Sequence, residues 1–175
     1  MIVTRSVFVA LRGVIYSAGF ILFWGWLAFG AARRYDDRLG IELPAWAAPL
    51  GILLMVPGGL IALACILTFI VLGQGTPAPF DPPVVFVPTG PYRYVRNPMY
   101  VGAGTFLAGL GLFQRSAAIL VLSAILLLAA HLFVLLYEEP SLERRFGESY
   151  LAYKRATNRW LPRFRSTASA GSRPS

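Results

Sequence analysis

The side chains that could do chemistry lie in two polar clusters. The first cluster runs from Gly90 to Gly102 and interleaves two arginines with three tyrosines where an uncharged segment begins. The second cluster is a pair of adjacent carboxylates, Glu138-Glu139, at the far end of the next uncharged segment. Arginine binds carboxylates and phosphates through paired hydrogen bonds, and a carboxylate accepts hydrogen bonds from hydroxyls and amines. Two such clusters at equivalent ends of two apolar segments predict one binding site at a membrane face.

Each cluster also has a plainer explanation. Arginine and tyrosine are common at the headgroup level, where the long arginine side chain reaches towards lipid phosphates. The interruption by Asn97-Pro98 at the same point favours a ligand site instead. The two glutamates could be solvated, or could pair with Arg144 and Arg145, as readily as bind a ligand.

Two other reactive residue types occur once each. His131 lies inside an apolar segment, and we expect a neutral histidine hydrogen-bonded to a neighbouring helix rather than a catalytic base. Cys65 is the only cysteine, so an internal disulfide and a multi-cysteine metal site are excluded, and no metal site is expected. Gly102-x-Gly104 lacks the strand-turn-helix context of a dinucleotide-binding loop.

The elements that position these clusters are those of a membrane protein. Hydrophobic residues make up 57% of the chain and charged residues 14%, whereas a soluble domain carries about 25% charged residues. Uncharged runs cover residues 13–32, 43–72, 97–114 and 116–137, and a helix needs about 20 apolar residues to cross a bilayer. We therefore expect an all-α integral membrane protein with about four transmembrane helices, of which the third is marginal. The first run is too long for a signal peptide and is interpreted as a retained span.

Charge predicts the orientation. Twelve of the 16 Lys and Arg residues fall on one side of a four-span arrangement, whereas Arg33, Arg34, Arg38 and Arg115 fall on the other. The positive-inside rule then places both termini in the cytoplasm. The excess positive charge is expected to meet anionic lipid headgroups rather than nucleic acid.

Several connecting segments have their own signals. Residues 33–44 mix both charge signs and are expected to form a loop, and the proline-rich connection 73–91 is expected to be an extended lid or pocket wall. Small residues at helical spacing, Gly104 to Gly111, predict close helix packing. After Pro140, which suits a first helical turn, one apolar face recurs through Trp160 and predicts an amphipathic interfacial helix. Residues 1–165 are expected to form a single membrane domain and residues 166–175 a disordered tail.

Taken together, the two clusters resemble the isoprenylcysteine carboxyl methyltransferase family and its relatives among the phospholipid N-methyltransferases. The resemblance covers roughly the second half of the chain, and Gly75-Thr76-Pro77 is similar to bacterial members. Many members have histidine where this chain has Asn97, which can donate a hydrogen bond but cannot exchange a proton, so a binding role is expected there. The matching residues are Gly90-Pro91-Tyr92-Arg93-Tyr94-Val95-Arg96-Asn97-Pro98-Met99-Tyr100-Val101-Gly102 and Glu138-Glu139-Pro140-Ser141-Leu142-Glu143-Arg144-Arg145-Phe146-Gly147, continued by Tyr150 and Tyr153.

The resemblance implies an S-adenosylmethionine-dependent methyltransferase in a membrane, here a bacterial inner membrane. It implies a cytosol-facing cofactor pocket and a lipophilic acceptor that enters from the bilayer: an isoprenylcysteine-like carboxylate, another isoprenoid or a phospholipid. Arg93 and Tyr92 are candidates for the substrate side, where catalysis would occur. The residues implied in cofactor binding are Arg96, Asn97, Tyr100, Gly102, Glu138 and Glu139.

Two other functions stay open. A membrane reductase related to the sterol reductases would need a nicotinamide cofactor, for which this chain is short. A non-catalytic membrane protein would bind anionic lipid through its basic C-terminal helix, with an affinity that falls steeply with salt. Titration with both cofactors separates these functions from methyl transfer.

Overall fold

The computed structural model describes residues 2–73 and 88–163, and this part of the chain is helical. The proline-rich stretch 74–87 and the expected tail 166–175 lie outside the described residues. A π turn, Phe69–Gly73, follows α2, a 3-10 turn, Gly90–Arg93, precedes α3, and a second π turn, Val134–Glu138, follows α4. The α-helices are α1 Ile2–Leu39, α2 Ala47–Thr68, α3 Pro98–Phe113, α4 Ala117–Phe133, α5 Glu139–Phe146 and α6 Glu148–Ala156.

Three helical segments of the described chain are long and apolar enough to cross a membrane: Leu11–Leu39, Ala47–Val71 and Ala117–Phe146. Helix α3 has 16 residues, which is short for a full span. The expected all-α membrane fold is confirmed, and four spans is an approximate description.

Helix α1 extends further than the sequence predicts. The loop expected at residues 33–44 is wrong in its first half, because α1 continues to Leu39. Gly40, which follows the helix, has a φ of +61°. Arginine is a good helix former, so a helix can continue beyond the point where its apolar run stops. Near this end Asp36 accepts a hydrogen bond of 2.9 Å from the backbone N–H of Ala118, which ties the end of α1 to the start of α4.

Glycines set the distance between α2 and α3. A Cβ added at Gly58 would lie 2.6 Å from the backbone nitrogen of Phe106, and one added at Gly102 would lie 2.8 Å from that of Ala62. The two backbones are therefore in direct contact, as small residues allow in membrane helices. Gly104 and Gly111 instead pack against leucine side chains of α4. The predicted packing role of these small residues is confirmed.

The C-terminal amphipathic segment is divided into two helices. The chain passes from α4 through the π turn into α5 without leaving the helical course, and the wide turn precedes Pro140, which lacks an N–H donor. Gly147, with a φ of +53°, then separates α5 from α6. The chain is extended at Thr157, so the expected helical face does not continue to Trp160.

Candidate active site

The loop before α3 is held in place by its contacts with the end of α2. Gly90 adopts a φ of +59°, and a Cβ there would lie 2.8 Å from Oγ1 of Thr68. The ring of Tyr92 packs edge-on against Phe69, with the ring centroids 5.1 Å apart. Asn97 is buried and Pro98 begins the helix, where a proline lacks only an N–H that has no helical partner. This loop therefore brings the first polar cluster to the end of the bundle where α2 stops.

The C-terminal segment lies along the same loop. Val95 and Asn158 form an isolated parallel bridge, and the backbone N–H of Arg96 donates to the carbonyl of Asn158 at 2.9 Å. The side-chain nitrogen of Asn97 donates to the carbonyl of Arg159 at 3.3 Å. The hydroxyl of Tyr153 donates to the carbonyl of Tyr92 at 2.5 Å. These bonds carry the chain beyond α6 back over the polar cluster.

Glu139 is the centre of an ion-pair cluster. Its side chain is 5% exposed, and Arg159 donates to both carboxylate oxygens at 2.8 Å. Nη2 of Arg96 lies 3.3 Å from one oxygen, and Nζ of Lys154 lies 3.7 Å from the other. A buried carboxylate is stable only when its charge and lone pairs are matched in this way. The hydrogen bond to Glu139 also raises the pKa of the Arg159 guanidinium.

Arg96 has more hydrogen-bond capacity than its neighbours use. Its side chain is 9% exposed, and its Nε and Nη1 atoms are buried with no hydrogen-bond partner in the part of the chain that the structure describes. Leaving a buried charged donor unpaired costs on the order of 1–3 kcal/mol or more. Such groups in native proteins call for an explanation, and a bound anion is one that suits a guanidinium.

Glu138 has different surroundings. Its Oε2 accepts a hydrogen bond of 3.1 Å from the hydroxyl of Tyr100. Tyr92 interacts electrostatically with the same carboxylate. Burial raises the pKa of Tyr92 well above its usual value, so this phenol remains protonated at neutral pH. Among residues 2–73 and 88–163, Glu138 has no ion-pair partner.

The structure brings most of the expected site residues to one end of the bundle. Arg96 and Glu139 are in contact, and Tyr100 and Glu138 are in contact. Arg93 is not with them: its side chain is exposed and lies over the Tyr94 ring, with 4.6 Å between the guanidinium carbon and the ring centroid. The expected roles in cofactor binding and catalysis stay predictions.

Two further expected residues have other neighbours. Gly102 lies at the contact between α2 and α3. The amide of Asn97 is bonded to the C-terminal segment rather than left facing open space.

Sequence reasoning missed the C-terminal partners of Glu139. Arg144 instead donates to Ser141, and Arg145 lies over the Phe146 ring. The sequence does not distinguish Arg159 from the other basic residues near it, because Arg159 follows helix α6 rather than lying on it and helical periodicity therefore does not mark it. His131 is hydrogen-bonded, since its Nδ1 accepts from Nε1 of Trp160 at 3.1 Å. Its partner belongs to the C-terminal segment, not to a neighbouring helix.

Comparison with known proteins gives the family of the chain. The family model described as phospholipid methyltransferase matches residues 46–149, which is more than half of the chain. That range includes both polar clusters and helices α2 to α5. No curated protein matches the chain. The apolar helices and the family match indicate an integral membrane protein, and the chain belongs to the phospholipid methyltransferase family.

Proposed function

We propose that this protein is an S-adenosylmethionine-dependent methyltransferase that acts on a lipophilic acceptor in the membrane. The observation that carries the proposal is Arg96, a buried guanidinium that is held by Glu139 and keeps two nitrogens without a protein partner in the described chain. An anion-binding group of this kind, at the end of an apolar bundle, is suited to a charged cosubstrate that reacts with a membrane-soluble partner. Membership of the phospholipid methyltransferase family supports the same reaction class.

The residues present fit this cofactor chemically. S-adenosylmethionine carries a carboxylate, an ammonium group, ribose hydroxyls, an adenine and the sulfonium whose methyl group is transferred. The free nitrogens of Arg96 are suited to the carboxylate, and the carboxylate of Glu138 is suited to hydroxyl or ammonium donors. Tyr100 offers an aromatic face and a hydroxyl beside Glu138.

Glu139 has a different part in the proposed site. Its two oxygens already accept from Arg159 and lie close to Arg96 and Lys154. We assign it to cofactor binding through Arg96, which it orients, rather than through direct contact. Asn97 likewise contributes by fixing the loop, and Gly102 by the close approach of α3 to α2.

The membrane setting follows from charge and from the end of the bundle where the site lies. Twelve of 16 basic residues flank the end that carries Arg96 and Glu139 in a four-span arrangement. We therefore assign that end and both termini to the cytoplasmic side of a bacterial inner membrane, where S-adenosylmethionine is available. Residues 1–165 form one domain in this proposal. The lipophilic acceptor reaches the site from the bilayer, since many large apolar side chains of the helices are exposed.

A labelling experiment tests the proposal. Purified protein is placed in vesicles made from a bacterial lipid extract, incubated with methyl-labelled S-adenosylmethionine, and the lipids are extracted. We expect label in the lipid fraction, at least tenfold less label with Arg96→Ala, and unchanged label with Arg144→Ala, whose exposed side chain bonds only to Ser141 in the described chain. The proposal would be contradicted if the unaltered protein gave no labelled lipid and also bound NADPH, or bound neither NADPH nor S-adenosylmethionine.

A further inference from the structure

His131 is the only histidine of the chain and lies in the apolar helix α4. Its side chain is half-buried, and Leu128 and Leu135, which lie one turn away on the same side of the helix, are 60% and 36% exposed. This side of α4 therefore faces the bilayer. An ionisable side chain inside a membrane span is a functional candidate, and its polar partner has to be identified.

Trp160 is one partner of His131, and it determines which ring nitrogen can donate. Nε1 of Trp160 donates to Nδ1 of His131 at 3.1 Å, and the ring centroids are 5.8 Å apart. An indole N–H can only donate, so the Nδ1 atom that accepts it carries no hydrogen and the ring hydrogen is on Nε2. Nε2 has no hydrogen-bond acceptor among residues 2–73 and 88–163. An unpaired donor is costly where no water is present, so this N–H is suited to an acceptor atom on a molecule in the bilayer.

Trp160 also connects His131 to the candidate site. It follows Arg159, whose guanidinium donates to both carboxylate oxygens of Glu139. Two adjacent residues of the C-terminal segment therefore contact the site and the bilayer-facing side of α4. A molecule that enters the site from the bilayer along this side passes the imidazole.

His131 lies deeper in the membrane than the site. It precedes Glu138 by seven positions in one continuous helical course, which corresponds to about 10 Å at the helical rise. The hydrocarbon core covers about 20 residues of a helix, so a core that begins at Ala117 ends near Tyr137. The site is therefore at the membrane boundary, and His131 is inside the hydrocarbon.

We propose that Nε2 of His131 donates a hydrogen bond to a carbonyl oxygen in the linkage between the headgroup and the chains of the methyl acceptor. This inference rests on the proposed function and restricts its acceptor. The acceptor is a lipid whose chains are attached through ester or amide groups, with a carbonyl about 10 Å from the atom that is methylated. A hydrocarbon chain alone offers this N–H no acceptor atom.

The depth of His131 separates a bound acceptor from the surrounding lipid. Carbonyl groups of the bilayer lipids lie in the interfacial region outside the hydrocarbon core, above the level of the imidazole. A lipid whose headgroup enters the site is lowered by about the thickness of that region, which brings its carbonyl groups towards His131. The hydrogen bond therefore forms with the lipid that occupies the site.

Three substitutions separate the two nitrogens of the ring. His131→Gln places an N–H donor near the position of Nε2, His131→Asn places an acceptor for Trp160 near the position of Nδ1, and His131→Leu provides neither. Leu53→Ala is the control, because Leu53 is a 68% exposed side chain on α2. Thermal unfolding confirms that each variant is folded.

The probes are two phosphatidylethanolamines with the same headgroup and chain length, one diacyl and one with dialkyl ether linkages. Since His131 is the only histidine, protein labelled with ¹⁵N-histidine and purified without a histidine tag reports on this residue alone. We expect titration of the diacyl lipid into protein in dodecylmaltoside to shift the Nε2–H resonance saturably. The dialkyl lipid should bind about tenfold more weakly, because it leaves the donor unpaired.

Methyl transfer from labelled S-adenosylmethionine gives the second measurement. His131→Leu and His131→Asn should raise KM for the diacyl lipid about tenfold with kcat nearly unchanged, as expected for the loss of a contact that only binds. His131→Gln should restore most of the affinity, and Leu53→Ala should match the unaltered protein. The Kd for S-adenosylmethionine should stay nearly unchanged in all variants, because Arg159 keeps both of its bonds to Glu139.

The possible failures are distinguishable. If the unaltered protein neither binds S-adenosylmethionine nor labels any lipid, the proposed function is wrong and this inference fails with it. If it labels lipid but His131→Leu has the unaltered KM, or the diacyl lipid gives no saturable shift, the proposed function survives and the role of His131 is wrong. Rescue by His131→Asn rather than by His131→Gln would show that the ring only holds Trp160, which also overturns the inference.

Discussion

Arg159 donates two hydrogen bonds of 2.8 Å to the two carboxylate oxygens of Glu139, although the residues are 20 positions apart in the chain. The contact exists because Gly147 breaks the helix and the chain returns over the loop before α3. The same carboxylate lies 3.3 Å from Arg96. One buried acidic side chain thereby links α3's entry loop, the end of the last long helix and the C-terminal segment.

Removal of Arg159 should loosen this assembly. Arg159→Ala deletes two charge-assisted hydrogen bonds to a buried carboxylate, and since Arg96 and Lys154 remain, we expect a loss of about 1–3 kcal/mol of unfolding free energy. The affinity for S-adenosylmethionine should fall at least tenfold, because Arg96 loses its fixed position. Thermal unfolding in detergent and calorimetric titration measure the two effects.

Arg163→Ala is the matched control for that experiment. Arg163 is exposed, and its bond in the described chain is to the carbonyl of Arg155. It should leave stability and cofactor affinity unchanged. Equal effects of the Arg159 and Arg163 substitutions would show that general positive charge, and not the contact with Glu139, matters.

Tyr153 should control how firmly the C-terminal segment is held. Its hydroxyl donates to the carbonyl of Tyr92, and Tyr153→Phe removes this bond at a cost of about 1 kcal/mol. The backbone amides of Arg96 and Asn97, which donate to carbonyls of residues 158 and 159, should then exchange with solvent several-fold faster. Hydrogen exchange followed by mass spectrometry measures this change.

Tyr137→Phe provides the comparison, because Tyr137 is exposed on the outer surface. Exchange in the loop before α3 should be the same as in the unaltered protein. If Tyr153→Phe also leaves that exchange unchanged, the hydroxyl is not what fastens the segment.

Gly102 should be intolerant of any side chain. A Cβ there would lie 2.8 Å from the backbone nitrogen of Ala62 and 2.9 Å from the carbonyl oxygen of Gly58, so α2 and α3 would have to separate. Gly102→Ala should cost about 1–3 kcal/mol of stability, as overpacking does elsewhere. Gly19→Ala adds the same methyl group where nothing lies within 4 Å, and it should be neutral or slightly stabilising. A thermal midpoint for Gly102→Ala equal to that for Gly19→Ala would refute the close contact.

The sequence allowed the meeting of Arg96 with Glu139 to be predicted. Arg96 precedes one apolar segment and Glu139 follows the next. Because consecutive membrane segments run in opposite directions, the start of the first and the end of the second lie on the same side of the bundle. The packing role of the small residues in α3 could also be predicted, because helical periodicity determines which residues share a face. These features depend only on local pattern and on the length of an apolar helix.

The contribution of Arg159 could not be predicted in this way. The apolar periodicity from Leu142 to Trp160 predicts one continuous amphipathic helix. In the structure the helix breaks at Gly147, and the chain is extended at Thr157. The partner of Glu139 then depends on a long-range backbone pairing, Val95 with Asn158, that leaves no periodic trace. The extension of α1 to Leu39 was missed because loss of hydrophobicity marks the edge of an apolar run, not the end of a helix.

Calorimetric titration of S-adenosylmethionine into Arg96→Ala tests the central claim most directly, with Arg144→Ala and the unaltered protein measured in parallel. The claim is that Nε and Nη1 of the buried Arg96, which have no hydrogen-bond partner in the described chain, receive the cofactor's carboxylate. A hydrogen bond to a charged group contributes about 1.5–3 kcal/mol, so Arg96→Ala should raise the Kd roughly 10- to 100-fold while Arg144→Ala leaves it unchanged. Cofactor binding by a folded Arg96→Ala variant that is as tight as in the unaltered protein would contradict the account.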